Sequence, residues 1–248
     1  MKIWIKGILL LYQKEIKDAF LSPFVYILSG LFIGLAGWVF FSLLLASKNA
    51  TEATLTTAVL IPSFSLYRLI LMIVCPLLTM RLLSEEKKNR TIELLFLSDL
   101  NNVQIIFSKF LSSMTIVLFM LGLTILFPTI LGISGYSDWG VVISGYGGLI
   151  LLSSAYISLG LFASSLSSNY VICLILAIFM MLGMWFLVLS AGNTDNYIVG
   201  LILRYFSETF HFESFVRGTV RNFNFVYFLS FVAFFMFLTE KSLNSRRW

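Results

Sequence analysis

Few side chains in this sequence could carry out covalent catalysis, and the clearest candidate is a serine. Ser134 stands in Gly132–Ile133–Ser134–Gly135, the short Gly-x-Ser-Gly pattern that intramembrane serine proteases use. A serine nucleophile needs an adjacent base, most often a histidine. The only histidine is His211, which falls in a polar connection and not in a later apolar run. The sequence therefore disfavours a protease, and we expect His211 to be an interfacial residue.

Ionisable groups inside apolar runs are a second place to look for chemistry, because ion-coupled carriers depend on them. The apolar runs contain no Asp or Glu away from their ends, and Arg68 is the one charged residue clearly inside a run. Arg68 has two interpretations: it snorkels to the surface, or it forms an intramembrane polar site for gating or substrate contact. No proton or sodium relay is predicted, so active transport would take its energy from a partner.

The composition places these residues in a membrane protein. Of 248 residues, 59% are hydrophobic and 12% are charged, whereas soluble domains carry roughly a quarter charged residues. The net charge of +5 comes from basic residues between apolar runs, which is typical of loops that set membrane orientation and not of nucleic-acid binding. Cys75 and Cys173 lie within apolar runs and are predicted to be buried thiols, with no metal site.

The apolar runs predict an all-α integral membrane protein with six spanning helices in a single domain, 1–248. A membrane-spanning helix needs roughly 20 apolar residues. The charge-free stretch 139–194 is long enough for two helices, with a turn at Ser164–Asn169. The predicted spans are about 24–46, 60–83, 106–131, 140–163, 170–191 and 222–240.

The distribution of Lys and Arg predicts the orientation in the cell (inner, cytoplasmic) membrane. With six spans, both termini and the connection after the second span share one side. That side holds twelve of the 17 basic residues. Basic residues concentrate in cytoplasmic loops, so both termini are predicted to be cytoplasmic.

Three segments outside the spans have their own patterns. Residues 1–20 predict an amphipathic interfacial helix, with Tyr12 on its apolar face and charges on the other. Residues 84–98 form a mixed-charge cytoplasmic segment. Residues 192–221 are longer than a turn needs, and we expect short helices there on the outer side.

Small residues follow one face of the first span. Gly30, Gly34 and Gly37 stand at spacings that let helices approach closely. The motif is weak, and packing within the protomer or across a dimer remains equally open.

The order of residues around the mixed-charge segment resembles the ABC-2 type permeases, especially the gliding-motility-type branch. The run Pro76–Leu82 is followed by Glu-Glu, basic residues and Thr-x-Glu-Leu-Leu, as in that family. Lys14-Glu15 before Ser22-Pro23, and Leu159–Leu166, resemble other family segments. The chain departs from the pattern at Arg90, where the family often has Gly, and at Asp99, where it often has Pro.

The resemblance implies a six-helix permease of the type V exporter kind that pairs as a homodimer or heterodimer. It implies two separate ATPase subunits, which bind the ATP and Mg; this chain binds no cofactor and has no phosphate-binding loop of its own. Segment 84–98 would be the coupling helix, and export the direction of transport. A membrane scaffold for an ATP-driven assembly is the alternative. The implied coupling residues are Glu85, Glu86, Lys87, Lys88, Arg90, Thr91 and Glu93, flanked by Tyr12, Lys14, Glu15 and Lys17 of the interfacial helix.

Overall fold

A computed structural model describes residues 2–47, 55–89, 101–133, 136, 138–192 and 196–245. Within these ranges every regular element is helical, and six helices are long and apolar enough to cross a membrane. The predicted all-α, six-span fold is therefore confirmed. The six candidate spans are Pro23–Ala46, Thr56–Lys88, Asn102–Ile133, Trp139–Leu166, Tyr170–Gly192 and Asn222–Asn244.

The chain begins with two helices separated by a short corner. Helix α1 is Lys2–Leu21 and helix α2 is Pro23–Ala46. At the corner the Ser22 hydroxyl accepts a hydrogen bond from the backbone N–H of Phe24 at 3.3 Å. Pro23 opens α2, because a proline has no N–H to lose in the first turn.

The second span is built from several pieces. A π-helical turn, Thr56–Leu60, leads into α3, Ile61–Thr79, and after a tight turn the chain forms the short helix α4, Ser84–Lys88. Proline inside a helix removes one backbone hydrogen bond, and Pro76 lies in the last turn of α3. The missing bond lies on the N-terminal side of Pro76, so it does not by itself produce the turn that follows Thr79.

The third span is also interrupted. Helix α5 is Asn102–Thr124 and helix α6 is Leu126–Ile133. The start of α5 is fixed by Gln104, whose side-chain oxygen accepts from the backbone N–H of Asn101 at 2.8 Å. The Asn101 side chain in turn accepts from the backbone N–H of Gln104, which completes a capping box. This cap defines where the third span begins after the charged segment.

Helices α7, Trp139–Leu166, and α8, Tyr170–Gly192, form an antiparallel pair. The turn between them is shorter than predicted, because Ser164 and Ser165 are still helical. Their hydroxyls donate to the backbone carbonyls of Met80 and Phe162, at 3.2 and 2.7 Å. Both hydroxyls find an acceptor while the backbone stays helical. The predicted turn at Ser164–Asn169 therefore starts too early, since α7 continues to Leu166.

Two short helices precede the last span. They are α9, Tyr197–Phe206, and α10, Glu208–Val216, and the last span is α11, Asn222–Asn244. Ser207 caps α10 by accepting from the N–H of Thr209 at 3.3 Å. Gly218 turns the chain toward α11 with φ of 72°, a left-handed conformation that favours glycine.

Helix α7 lies at the centre of the bundle, since 72% of the residues in its 18-residue apolar stretch are buried. Glycines bring neighbouring helices close to it. A Cβ on Gly160 would lie 2.1 Å from the Thr79 hydroxyl, and one on Gly148 would lie 2.6 Å from Cβ of Phe215. Helices α3 and α10 therefore pack directly against the α7 backbone.

The charged helix α4 and the last residues of α11 meet at one end of the bundle, which we call the α4 end. Asn102 donates to Asn244 at 2.6 Å, and Ser242 donates to the carbonyl of Ser165 at 3.2 Å. The Lys87 ammonium donates to the same carbonyl. The opposite end, where α9 and α10 lie, is the α10 end.

Candidate functional site

The α4 end holds the charged residues that the sequence singles out, and its core is a buried ammonium. The Nζ atom of Lys109 on α5 lies 2.7 Å from Glu15 of α1 and 2.8 Å from Glu86 of α4. The Lys109 side chain is 2% exposed and each carboxylate side chain 18%. A charge this deep is tolerated only when it is paired, so Lys109 ties α1, α4 and α5 together.

The break between α3 and α4 is held by α7. The Ser164 hydroxyl accepts from the backbone N–H groups of Leu83 and Ser84, each at 3.1 Å, and donates to the carbonyl of Met80. These backbone groups lie at a helix end, where partners within the helix are missing. A single side chain on α7 therefore stabilises the turn that aims α4.

The four described residues of the predicted coupling set divide between two faces of α4. Glu86 and Lys87 point inward, to Lys109 and to the carbonyl of Ser165. Glu85 and Lys88 are exposed. The Lys88 ammonium lies 5.1 Å from the ring centroid of Tyr170. The exposed face thus presents one acidic and one basic side chain to solvent, while the inner face fixes the helix.

The remaining three predicted coupling residues, Arg90, Thr91 and Glu93, lie outside the described residues.

Helix α1 borders this site. Tyr12 shares a hydrogen bond of 2.9 Å with Thr115 of α5, and Glu15 reaches Lys109, whereas Lys14 and Lys17 are exposed. An open cleft of about 400 Å³ lies between α1, α3 and α5. Its rim carries charges of both signs, from Lys14, Asp18, Arg81 and Glu85, among others.

The glycines of the first span separate into two groups. A Cβ on Gly30 or Gly34 would meet nothing within 4 Å, whereas one on Gly37 would lie 3.1 Å from the Phe127 ring. Gly37 therefore serves packing within the protomer. Gly30 and Gly34 are exposed on the surface of the single chain, where the contact with a second protomer stays a prediction.

Arg68 does not reach the surface by snorkelling. It is 8% exposed, and its Nη1 donates to the Thr209 hydroxyl on α10 at 2.5 Å. The adjacent Glu208 is 3% exposed, and its Oε1 accepts from the Tyr156 hydroxyl of α7 at 2.6 Å. Helix α10 therefore brings a carboxyl group into the protein interior, whereas the described spans carry Asp or Glu only near their ends.

His211 is not the interfacial residue that the sequence predicts. It is 2% exposed, between α10 and α11, and stacks on Tyr227 with ring centroids 3.9 Å apart. Its Nδ1 bonds Asn224 and its Nε2 bonds the carbonyl of Tyr205, both at 2.9 Å. With both ring nitrogens engaged, His211 is a structural residue. Ser134 lies outside the described residues.

Sequence reasoning missed three residues that organise the two ends. The sequence presented Lys109 as a connection charge at the start of the third span and Ser164 as a turn residue within a family-like segment, while Tyr156 carried no signal. Ser207 followed by Glu208 is typical of a helix start, but this pattern does not report that the carboxyl is buried. Within the described residues no group of three or more His, Cys, Asp or Glu could hold a metal ion.

In a comparison with protein families, the model of the ABC-2 family transporter proteins matches residues 47–239. The matched region begins after α2 and ends within α11. It therefore contains α4, Lys109 and Glu208. Comparison with curated proteins finds no match.

Proposed function

The chain belongs to the ABC-2 family of transporter proteins, and we propose that it is the permease subunit of an exporter driven by a separate ATPase. As a family member it is a transport component and not itself the catalyst of ATP hydrolysis. We further propose that two ATPase subunits bind the ATP and Mg, and that the permease functions as a dimer. We also propose that the chain belongs to the gliding-motility-type branch of the family. It includes cytoplasmic termini in the cell membrane.

One observation carries the proposal: α4 is a short, exposed charged helix that is rigidly tied to the membrane helices. Glu85 and Lys88 face outward, while Glu86 reaches Lys109 of α5 and Lys87 reaches the end of α7. A partner that binds the outer face and moves therefore moves two spans with it. Mixed charges on such a face give a specific register, because like charges placed opposite each other are strongly unfavourable.

The proposal predicts that a neighbouring reading frame encodes a soluble ATPase with a phosphate-binding loop, and the test uses that protein. The two proteins are expressed together, and the ATPase that is retained on the tagged permease is measured with its ATP hydrolysis. We expect Glu85→Lys and Lys88→Glu each to reduce retention of the ATPase by roughly tenfold, because each places a like charge opposite a charge of the partner. A tenfold loss corresponds to about 1.4 kcal/mol of binding free energy. Neither change should lower the stability of the permease, because both side chains are exposed.

The matched control is Glu213→Lys, an equally large charge reversal at the α10 end, where Glu213 is exposed. It should leave ATPase retention unchanged. If Glu85→Lys and Lys88→Glu retain the ATPase and its stimulation as the wild type does, the outer face of α4 is not the coupling contact.

A further inference from the structure

The first turn of α10 is seated through polar contacts. Tyr156 donates to Glu208, and Arg68 donates to the neighbouring Thr209. The Nε atom of Arg68 is buried and has no hydrogen-bond partner among the described residues. Water can replace each of these contacts, whereas it cannot replace apolar packing. Glu208 and Thr209, at the start of this turn, are therefore the part of α10 that can separate from the bundle at the lowest cost, whereas His211 at its end is held by stacking on Tyr227.

The other half of α10 is packed differently. Phe212, Phe215 and Val216 are each at most 2% exposed, and Gly148 of α7 lies directly beneath Phe215. Tight apolar contacts of this kind resist opening. The division of α10 into a polar first turn and an apolar second half allows the first turn to move while the rest holds.

The carboxyl of Glu208 is costly to keep in this place as an anion. Burial raises its pKa from 4.5 to about 7, and the hydrogen bond from Tyr156 and the charge of Arg68 lower it only in part. In water the same group would have its ordinary pKa. The seated turn consequently binds a proton more tightly than an open turn does.

Few other groups can account for a pH response here. Arg68 on α3 and Tyr156 on α7 act directly on Glu208, and Tyr227 on α11 lies within electrostatic range of it. The titratable groups of α8, Tyr170 and Cys173, stand at the α4 end. Other charged or titratable groups near α10 among the described residues are Arg204 and Tyr205 on α9, His211 and Glu213 on α10 itself, and Arg217 directly after it.

We propose that Glu208 is a proton-binding site that controls the seating of the first turn of α10. The seated turn holds the protonated carboxyl between Arg68 and Tyr156. When the turn leaves its site, the O–H bond breaks, the proton passes to water and the carboxylate is hydrated. This inference does not depend on the ATPase contact, which lies at the other end of the bundle.

The sign of the effect follows from the direction of the pKa shift. Because the seated state has the higher pKa, it is favoured at low pH, and opening becomes easier as pH rises between 4.5 and about 7. With these two values, proton linkage raises the equilibrium constant for opening about tenfold between about pH 6 and about pH 8.

The test is hydrogen–deuterium exchange of the purified chain in lipid nanodiscs at those two pH values. Rates for the amides that the first turn of α10 protects, resolved within the peptide covering 208–216, are divided by the intrinsic exchange rate, so that the ratio reports opening of that turn. We expect the ratio to rise about tenfold in the wild type. The control peptide is 174–182 of α8, which contains no titratable side chain and should show no change.

Two variants make the assignment specific. Glu208→Gln keeps an oxygen for Tyr156 but cannot release a proton, so its opening should not depend on pH. Tyr156→Phe removes a hydrogen bond that lowers the pKa of Glu208, so the rise in opening should continue to higher pH before it levels off. Tyr156→Phe nearly preserves side-chain volume, which keeps the test valid if Glu208→Gln fails to fold. A flat wild-type profile, or a pH response that persists in Glu208→Gln and thus comes from another group, would overturn the proposal.

Discussion

Replacing Lys109 with methionine removes an ammonium group that contacts both Glu15 and Glu86. The variant keeps a long side chain in the same space but takes this shared positive charge away from the two carboxylates. Removing one member of a fully buried ion pair costs about 3–5 kcal/mol. Here each carboxylate side chain is 18% exposed, so water offsets part of the loss. We expect the free energy of unfolding to fall by about 2–3 kcal/mol.

The measurement is an equilibrium unfolding titration with sodium dodecyl sulfate in mixed micelles, followed by the loss of helix. The matched control is Lys88→Met, the same chemical change on an exposed residue of α4. Surface changes usually stay within about 0.5 kcal/mol, and we expect that here. A triple variant, Lys109→Met with Glu15→Gln and Glu86→Gln, should regain most of the stability, because it leaves no unpaired charge.

The reasoning about this ion triad would be refuted by either of two results. One is a loss in Lys109→Met no larger than in Lys88→Met. The other is a triple variant as unstable as the single one. The lost free energy of unfolding would then come from lost packing of the lysine stem and not from the two carboxylates that lose the Lys109 charge.

Two further predictions concern α7. Gly160→Ala should lower the free energy of unfolding by about 1–3 kcal/mol in the same titration, because its Cβ collides with Thr79. Gly147→Ala, on the same helix in open space, should be neutral or slightly stabilising, and equal effects would contradict the close packing. Ser164→Ala should cost about 1–3 kcal/mol, since two buried backbone N–H groups lose their acceptor. Ser154→Ala, which removes a bond within its own helix, should cost less than 1 kcal/mol. Equal losses in the two serine variants would show that the Ser164 contacts with Leu83 and Ser84 do not stabilise the turn.

The six spans could be predicted because lipid imposes one simple requirement, a run of about 20 apolar residues. The breaks inside them could not. The end of α3 at Thr79 depends on Ser164, which is 85 positions away in the chain and was assigned to a turn. Such a contact is set by how helices meet in space, and no local pattern reports it.

The candidate site divides in the same way. The charged segment was recognisable from its order of residues, but the inward direction of Glu86 and the outward direction of Glu85 follow from where Lys109 lies. The buried state of Glu208 was invisible for a related reason. Charge and aromatic content place 192–221 at an interface, whereas the capped first turn of α10 inserts its carboxyl beside α7.

The contrast in burial between the helices has a consequence for sequence drift. In α7, 72% of the residues of the 18-residue apolar stretch are buried, whereas the same share is 17% in α8 and 22% in α11. On α7, Tyr156 meets Glu208 and, eight positions later, Ser164 holds the base of α4. Relatives should therefore diverge freely along α8, where most substitutions change only which apolar group meets lipid. Along α7 nearly every position has a neighbour that would have to change with it, so paired substitutions should concentrate there.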